Sequence, residues 1–163
     1  MTYYLIIRGP MGSGKSTISE RLSSELGARH IAVDRILDEH SLTGEHEEGY
    51  ISQRSFKCAN EIIAPEAAEL LAKNIPVIFD GNFYWQSQIE DLVGRLDFPH
   101  KVFTLELPLA LCIERDSKRD KTHGKDATEA VYAKSTSFTY GVPIDVTGTL
   151  DESTAAIKQN LPV

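Results

Sequence analysis

Only two cysteines occur in the 163 residues, and Cys58 and Cys112 both fall in stretches of helical spacing. So sparse a set excludes a disulfide framework and fits a reducing compartment. Long apolar runs are lacking too, with nothing near the roughly 20 residues needed to span a bilayer. The N-terminal YYLII is too short for the core of a signal peptide and has no basic stretch before it. A cytoplasmic protein without a membrane partner is expected. Positive charge is also short, with 17 Lys and Arg against 24 Asp and Glu and a net charge of −7. A surface this acidic repels nucleic-acid backbones unless its cations are concentrated in one place. Arg115, Lys118, Arg119, Lys121 and Lys125 are so concentrated, which permits a local anion site on an acidic protein. There are no repeats, low-complexity tracts or linkers, and the length suits one domain, 1–163, around one core.

What the chain does have is alternation. Strand-like apolar runs at Tyr3–Ile7, His30–Val33, Val77–Asp80, Val102–Leu107 and Ile144–Val146 alternate with helical patterns. The helical stretches are Lys15–Leu26, about 49–73, Gln86–Leu96, Leu109–Lys118, Ala127–Phe138 and Glu152–Asn160. Short strands separated by helices predict an α/β protein, a five-stranded parallel sheet with helices on both faces. Gly27 reads as the end of the first helix. Asp126 with Glu129, and Thr149 with Glu152, have the capping-box spacing of helix starts.

Between the first strand and the first helix lies GPMGSGKST, Gly9 to Thr17. Gly9, Gly14, Lys15 and Ser16 match G-x-x-x-x-G-K-[ST], the Walker A pattern. Glycines let successive backbone N–H groups of Gly12, Ser13 and Gly14 point into one concavity. The helix beginning near Lys15 adds the partial positive charge of its N-terminus. In this pattern Lys15 reaches the β- and γ-phosphates and the Ser16 hydroxyl ligates Mg²⁺. The strand before and the helix after supply the context that the pattern needs.

Asp80 closes the strand VIFD, where an acid holds Mg²⁺ in P-loop proteins, although strand-end acids also start turns. Asp145 to Gly148, DVTG, has the form of a GTPase element. No N-K-x-D for guanine recognition accompanies it, nor an ABC signature, nor room for a second AAA-type helical domain. Arg115 and Arg119, four apart on one helix, share a face. That face is either a solvated surface or one side of a basic flap, about 115–130, able to close on phosphates. Arg54 and Lys57 are a similar pair in the polar segment after the second strand. Asn82, Phe83, Tyr84 and Trp85 are either pocket lining or core.

Taken together, GPMGSGKST, IAVDR after the second strand, IFDGN at the third, and ERDSKRDKTHGK followed by PIDVTG resemble the small P-loop kinases over nearly the whole chain. The nearest pattern is that of polynucleotide kinases, zeta toxins and chloramphenicol phosphotransferase, with shikimate, gluconate and adenylate kinases more distant. The resemblance implies a P-loop NTPase three-layer sandwich with a small helical lid, and Mg-ATP as phosphoryl donor. It implies that Thr17 meets the α-phosphate, that Arg115 and Arg119 close on the transferring phosphoryl group, and that backbone near Thr147 and Gly148 cradles adenine. It also places Asp34 against the acceptor hydroxyl as a base, a role that competes with a helix N-cap. The arginine that polynucleotide kinases carry a turn later is replaced here by Leu37, Asp38 and Glu39. A small-molecule acceptor is therefore expected, with 5′-hydroxyl nucleic-acid kinase and low-turnover nucleotide-binding regulator as the alternatives.

Overall fold

A computed structural model describes residues 2–120 and 122–162. Lys121, one of the cations of the expected flap, lies outside the described residues. Strands β1 (Tyr4–Arg8), β2 (Arg29–Ala32), β5 (Val77–Gly81), β6 (His100–Glu106) and β7 (Val142–Asp145) form one sheet in the order β2-β5-β1-β6-β7. Every pairing in it is parallel. Helices α1 (Lys15–Leu26), α5 (Leu109–Ser117) and α7 (Leu150–Lys158), together with α2 (Val33–Glu39), α3 (Gln53–Ala72), α4 (Gln86–Arg95) and α6 (Lys125–Ser135), alternate with these strands along the chain. This is the α/β P-loop NTPase fold.

The alternation of β1 explains why both faces are covered. Tyr4 and Ile6 pack with Phe79, Val102 and the apolar sides of α3 and α4. Leu5 and Ile7 pack with Ile18 and Leu22 of α1, Ile78, Phe103 and Ile157 of α7. All four β1 side chains are fully buried, as a central parallel strand requires. Register does the rest: Arg8 stands opposite Gly81 and Thr104, and Ala32 opposite Asp80. The carboxyl ends of β2, β5 and β1 therefore lie side by side, and the loops after them share one rim.

Local rules hold at some helix ends and fail at others. Gly27, at φ 63°, ends α1, and the Thr149 hydroxyl accepts from the Glu152 amide at 3.2 Å. Asp34 does not end a strand and caps nothing: β2 stops at Ala32, which holds the cap position, and Asp34 sits in the first turn of α2. Asp126 is likewise inside the first turn of α6, with Gly124 at its cap. The reason is a substitute from another element, since the Asp116 carboxylate accepts from the Gly124 amide at 3.2 Å. The acidic segment holds a hairpin, β3 (His46–Glu47) with β4 (Tyr50–Ile51). Its turn residues Glu48 and Gly49 both have positive φ, 55° and 84°, the hand that matches strand twist.

Candidate functional site

The loop after β1 wraps around its own Pro10 carbonyl. The Ser13 hydroxyl donates to it at 2.7 Å and the Lys15 ammonium at 2.9 Å. Gly12 and Gly14 adopt φ of 78° and 87°, which L side chains rarely tolerate. A Cβ on Gly12 would also run into the backbone carbonyl of Cys112 in α5. The loop is therefore seated directly on the helix that carries Arg115. At the start of α1 there is no side-chain cap and no acidic residue in the first turn. Its leading N–H groups are left for an anion.

Gly12, Gly14, Lys15, Ser16, Thr17, Arg115 and Arg119 line one cavity of about 230 Å³. Ser13 and Gly148 line a second, of about 240 Å³, which shares Gly14, Thr17 and Arg115 with the first and has Ile18, Val146 and Leu150 as apolar walls. Arg115 spans both and donates to the Val146 carbonyl at 2.8 Å. Thr147 lines neither. Its amide and hydroxyl are both bonded to the Asp145 carboxylate, at 2.8 and 2.6 Å, so that N–H is not free for a base.

Lys15, Asp34 and Asp80 feel one another's charge across the rim. Burial lowers the Lys15 ammonium from its usual value, against the pull of Asp34 and Asp80. Burial raises the Asp34 carboxyl, opposed by Lys15 and reinforced by Asp80 and Asp38. Asp34 nevertheless has an exposed surface. It lines neither of the two cavities beside the loop.

Asp80 is buried, and His30 Nε2 lies 2.7 Å from its Oδ2. Among the described residues no group of three or more His, Cys, Asp or Glu is arranged to hold a metal. One exposed hydroxyl, Ser16, and one acid, Asp80, suit a hard cation held mainly by phosphate oxygens and water rather than by a protein cage.

The residues that lead into α6 are anchored by an acid. Asp116 is 2% exposed and accepts from the His123 amide at 3.0 Å, His123 Nδ1 at 2.9 Å and the Gly124 amide. Burial works to raise its carboxyl, but these donors hold it below the usual range. Lys118 pairs with Glu114 at 3.0 Å, whereas Arg119 faces the loop cavity.

Arg8 escapes sequence reasoning, because a cation closing an apolar strand reads as surface. It is fully buried, donating to the Phe83 carbonyl at 3.2 Å, Thr104 Oγ1 at 3.1 Å and the Ser135 carbonyl at 2.7 Å, 4.4 Å above the Phe138 ring. Burial lowers its guanidinium to about 10. It ties the last residue before the glycine loop to α6 and to Phe83, whose φ of 45° is strained for a buried aromatic residue. Arg54 and Lys57 do not line the site: Arg54 lies 3.9 Å from Glu45, and Lys57 acts on Asp91. Phe83, Tyr84 and Trp85 are core, and Asn82 and Tyr84 also line a cavity of about 440 Å³ beside the loop.

A strand, a Walker A loop, a helix and an acid on the neighbouring strand define a P-loop NTPase domain. The family described as AAA domain matches residues 5–139, and the chain belongs to it. A search of curated proteins finds no match. Among solved structures, a sugar kinase from Janibacter is similar at TM-score 0.82 and 14% identity, covering 98% of this chain and 94% of its own. A gluconokinase from Sinorhizobium meliloti is similar at 0.70 and 18%, covering 96% and 94%. The shikimate kinase of Aquifex aeolicus is similar at 0.63 and 16%, covering 98% and 95%. At these identities the likeness is one of fold. Among the described residues no helix is long and apolar enough to cross a membrane.

Proposed function

We propose that the protein is a kinase that transfers the γ-phosphoryl group of Mg-ATP to the hydroxyl of a small molecule. The observation that carries this reading is the shared cavity of Lys15, Ser16, Thr17, Arg115 and Arg119, with Asp34 across the rim. A binding-only regulator needs the loop but has no use for two arginines beside it and an acid whose charge is felt at Lys15. The kinase folds of the structural neighbours support the reading.

Bound ATP with Mg²⁺ supplies an activated phosphoryl group and partly neutralises its charge. The free first-turn amides of α1 and the Lys15 ammonium hold the phosphates, and Ser16 and Asp80 hold the cation. The apolar walls Ile18, Val146 and Leu150 receive the base. The acceptor oxygen bonds to the γ-phosphorus while the bond from that phosphorus to the β–γ bridging oxygen breaks, releasing ADP. Asp34 takes the hydroxyl proton, and its raised carboxyl makes it a better acceptor than an ordinary aspartate. Arg115 and Arg119 offset the charge that builds on the phosphoryl oxygens, and the flap excludes water as a competing acceptor.

The test is a panel of metabolites, nucleosides and 5′-hydroxyl oligonucleotides, scored by ADP release above the background without acceptor. Acceptor-dependent release with a small alcohol supports the reading. Release only with oligonucleotides replaces it by the polynucleotide alternative, and no stimulated release by any acceptor leaves the regulator.

A further inference from the structure

The cavity of about 440 Å³ beside the glycine loop is lined by Met11, Asn82, Tyr84, the hairpin and one side of α6. Met11 belongs to the glycine loop and Asn82 follows Asp80 by two residues, which places the cavity beside the site already described. The Asp34 charge adds to the shift of the Tyr84 hydroxyl. That hydroxyl is pushed up to about 12, mainly by burial. An acceptor held here lies against Met11 of the phosphate loop and against Asn82, two residues after Asp80.

Its walls are aromatic and aliphatic. The Tyr50 and Tyr84 rings lie 5.3 Å apart, with Trp85 behind both at 6.4 and 6.2 Å. Ala127, Ala130 and Val131, spaced as one face of α6, close the other side. Polar groups are few: the Asn82 amide, the His46 ring, the Tyr84 hydroxyl, the Glu48 carboxylate and the Tyr50 hydroxyl, which already donates to the Ala130 carbonyl at 2.9 Å. The near cation is already engaged, since Lys134 lies 3.3 Å from Glu48 and 3.6 Å from the centre of the Trp85 ring. Arg54 and Lys57 are turned to other acids. A carboxylate or phosphate on the acceptor would find no free cation among the lining residues, because Glu48 holds the nearest one, Lys134.

We infer, resting on the kinase reading, that the acceptor is an uncharged, ring-bearing alcohol and that Glu48, by holding Lys134, leaves anionic analogues without a counter-ion. The ring lies against Tyr50 and Tyr84, and amide or hydroxyl groups bond to Asn82 and Tyr84. The reacting hydroxyl gives its proton to Asp34 as its oxygen takes the phosphoryl group from ATP. A volume of about 440 Å³ suits one ring with a short polar substituent.

Trp85 is the only tryptophan in the sequence, so its fluorescence reports occupancy without any turnover. Phenyl β-D-glucoside and phenyl β-D-glucuronide share a scaffold and differ by one carboxylate. Titrated into the wild-type chain, the glucoside should change Trp85 emission with an affinity at least about tenfold above that of the glucuronide, gluconate or shikimate. Glu48→Gln, an exposed change, should narrow the gap by improving the glucuronide alone. Equal or tighter binding of the anionic compounds overturns the inference, as does a glucoside that leaves the emission unchanged, or a Glu48→Gln variant that keeps the full discrimination. A Mg-ATP thermal shift on the same protein separates the two claims: its loss refutes the kinase reading whatever the fluorescence shows.

Discussion

Gly12 is where the glycine loop and α5 meet, and replacing it by alanine isolates that contact. Two penalties act together. Alanine at a φ of 78° costs about 1–2 kcal/mol over glycine. The new Cβ also runs into the Cys112 carbonyl, a backbone atom that cannot rotate away, and overpacking of that kind costs about 1–3 kcal/mol. Gly27→Ala is the control, since Gly27 has a φ of 63° with nothing within 4 Å of its Cβ position. Gly14→Ala is intermediate in place, with a φ of 87° and only the end of Ile18 at 3.9 Å. Both controls should lower the midpoint of thermal unfolding by roughly 2–8 °C, and Gly12→Ala by roughly 4–20 °C. Because the strain forces α5 and its Arg115 away from the loop, Gly12→Ala should also bind ATP at least about tenfold more weakly, whereas Gly27→Ala binds it normally. Calorimetric melting and nucleotide titration of the three variants decide the matter. A Gly12→Ala protein that melts with Gly27→Ala and keeps its ATP affinity refutes the contact.

Asp34→Asn should fold normally, bind ATP normally and transfer phosphate at least ~100-fold more slowly, about 2.7 kcal/mol in the barrier; retention of most activity would move the base elsewhere. In the wild type the rate should rise with pH through a limb above the ordinary carboxylate range, because the Asp34 carboxyl is raised and its base form appears only past that point. The pH–rate profile of Asp34→Asn should lack this limb. Asp116 is shifted the other way, so its hold on His123 and Gly124 is present above the ordinary aspartate value of about 4 and is lost as pH falls through its lower folded value. Limited proteolysis should find the 118–124 segment resistant at neutral pH and cut faster in acid, while a pH-independent pattern would contradict that role. ATP should raise the unfolding temperature more than GTP, since no guanine-reading N-K-x-D is present; equal shifts would contradict the donor preference.

Periodicity and glycine chemistry made the sheet and the glycine loop legible. Lys15–Leu26 needed no correction because Gly14 and Gly27 mark both its ends by conformations that few other residues accept. Spacing puts Arg115 and Arg119 on one helical face, but α5 ends at Ser117 and Arg119 lies two residues beyond it. The two arginines meet Lys15 in one cavity because the chain turns back after the helix. Caps failed where a distant residue intervened. Asp126 has the right spacing, yet Asp116 satisfies the amide at Gly124. Thr147 looked free for adenine until Asp145, two residues back, took its N–H. The hairpin went unseen because each strand is only two residues long, too short for alternation to register. Arg8 shows the same limit: its three acceptors are 75 to 127 residues away in sequence, and nothing local announces them.

The central claim is that the loop from Gly9 to Thr17 holds a nucleoside triphosphate by its backbone amides and Lys15. Titration calorimetry of Mg²⁺ with a non-hydrolysable ATP analogue, on the wild type and on Lys15→Ala, tests it directly. The wild type should bind, and Lys15→Ala, folded to the same degree by circular dichroism, should show binding weakened beyond detection. Equal affinity in the two proteins, or no binding to either, would contradict the account.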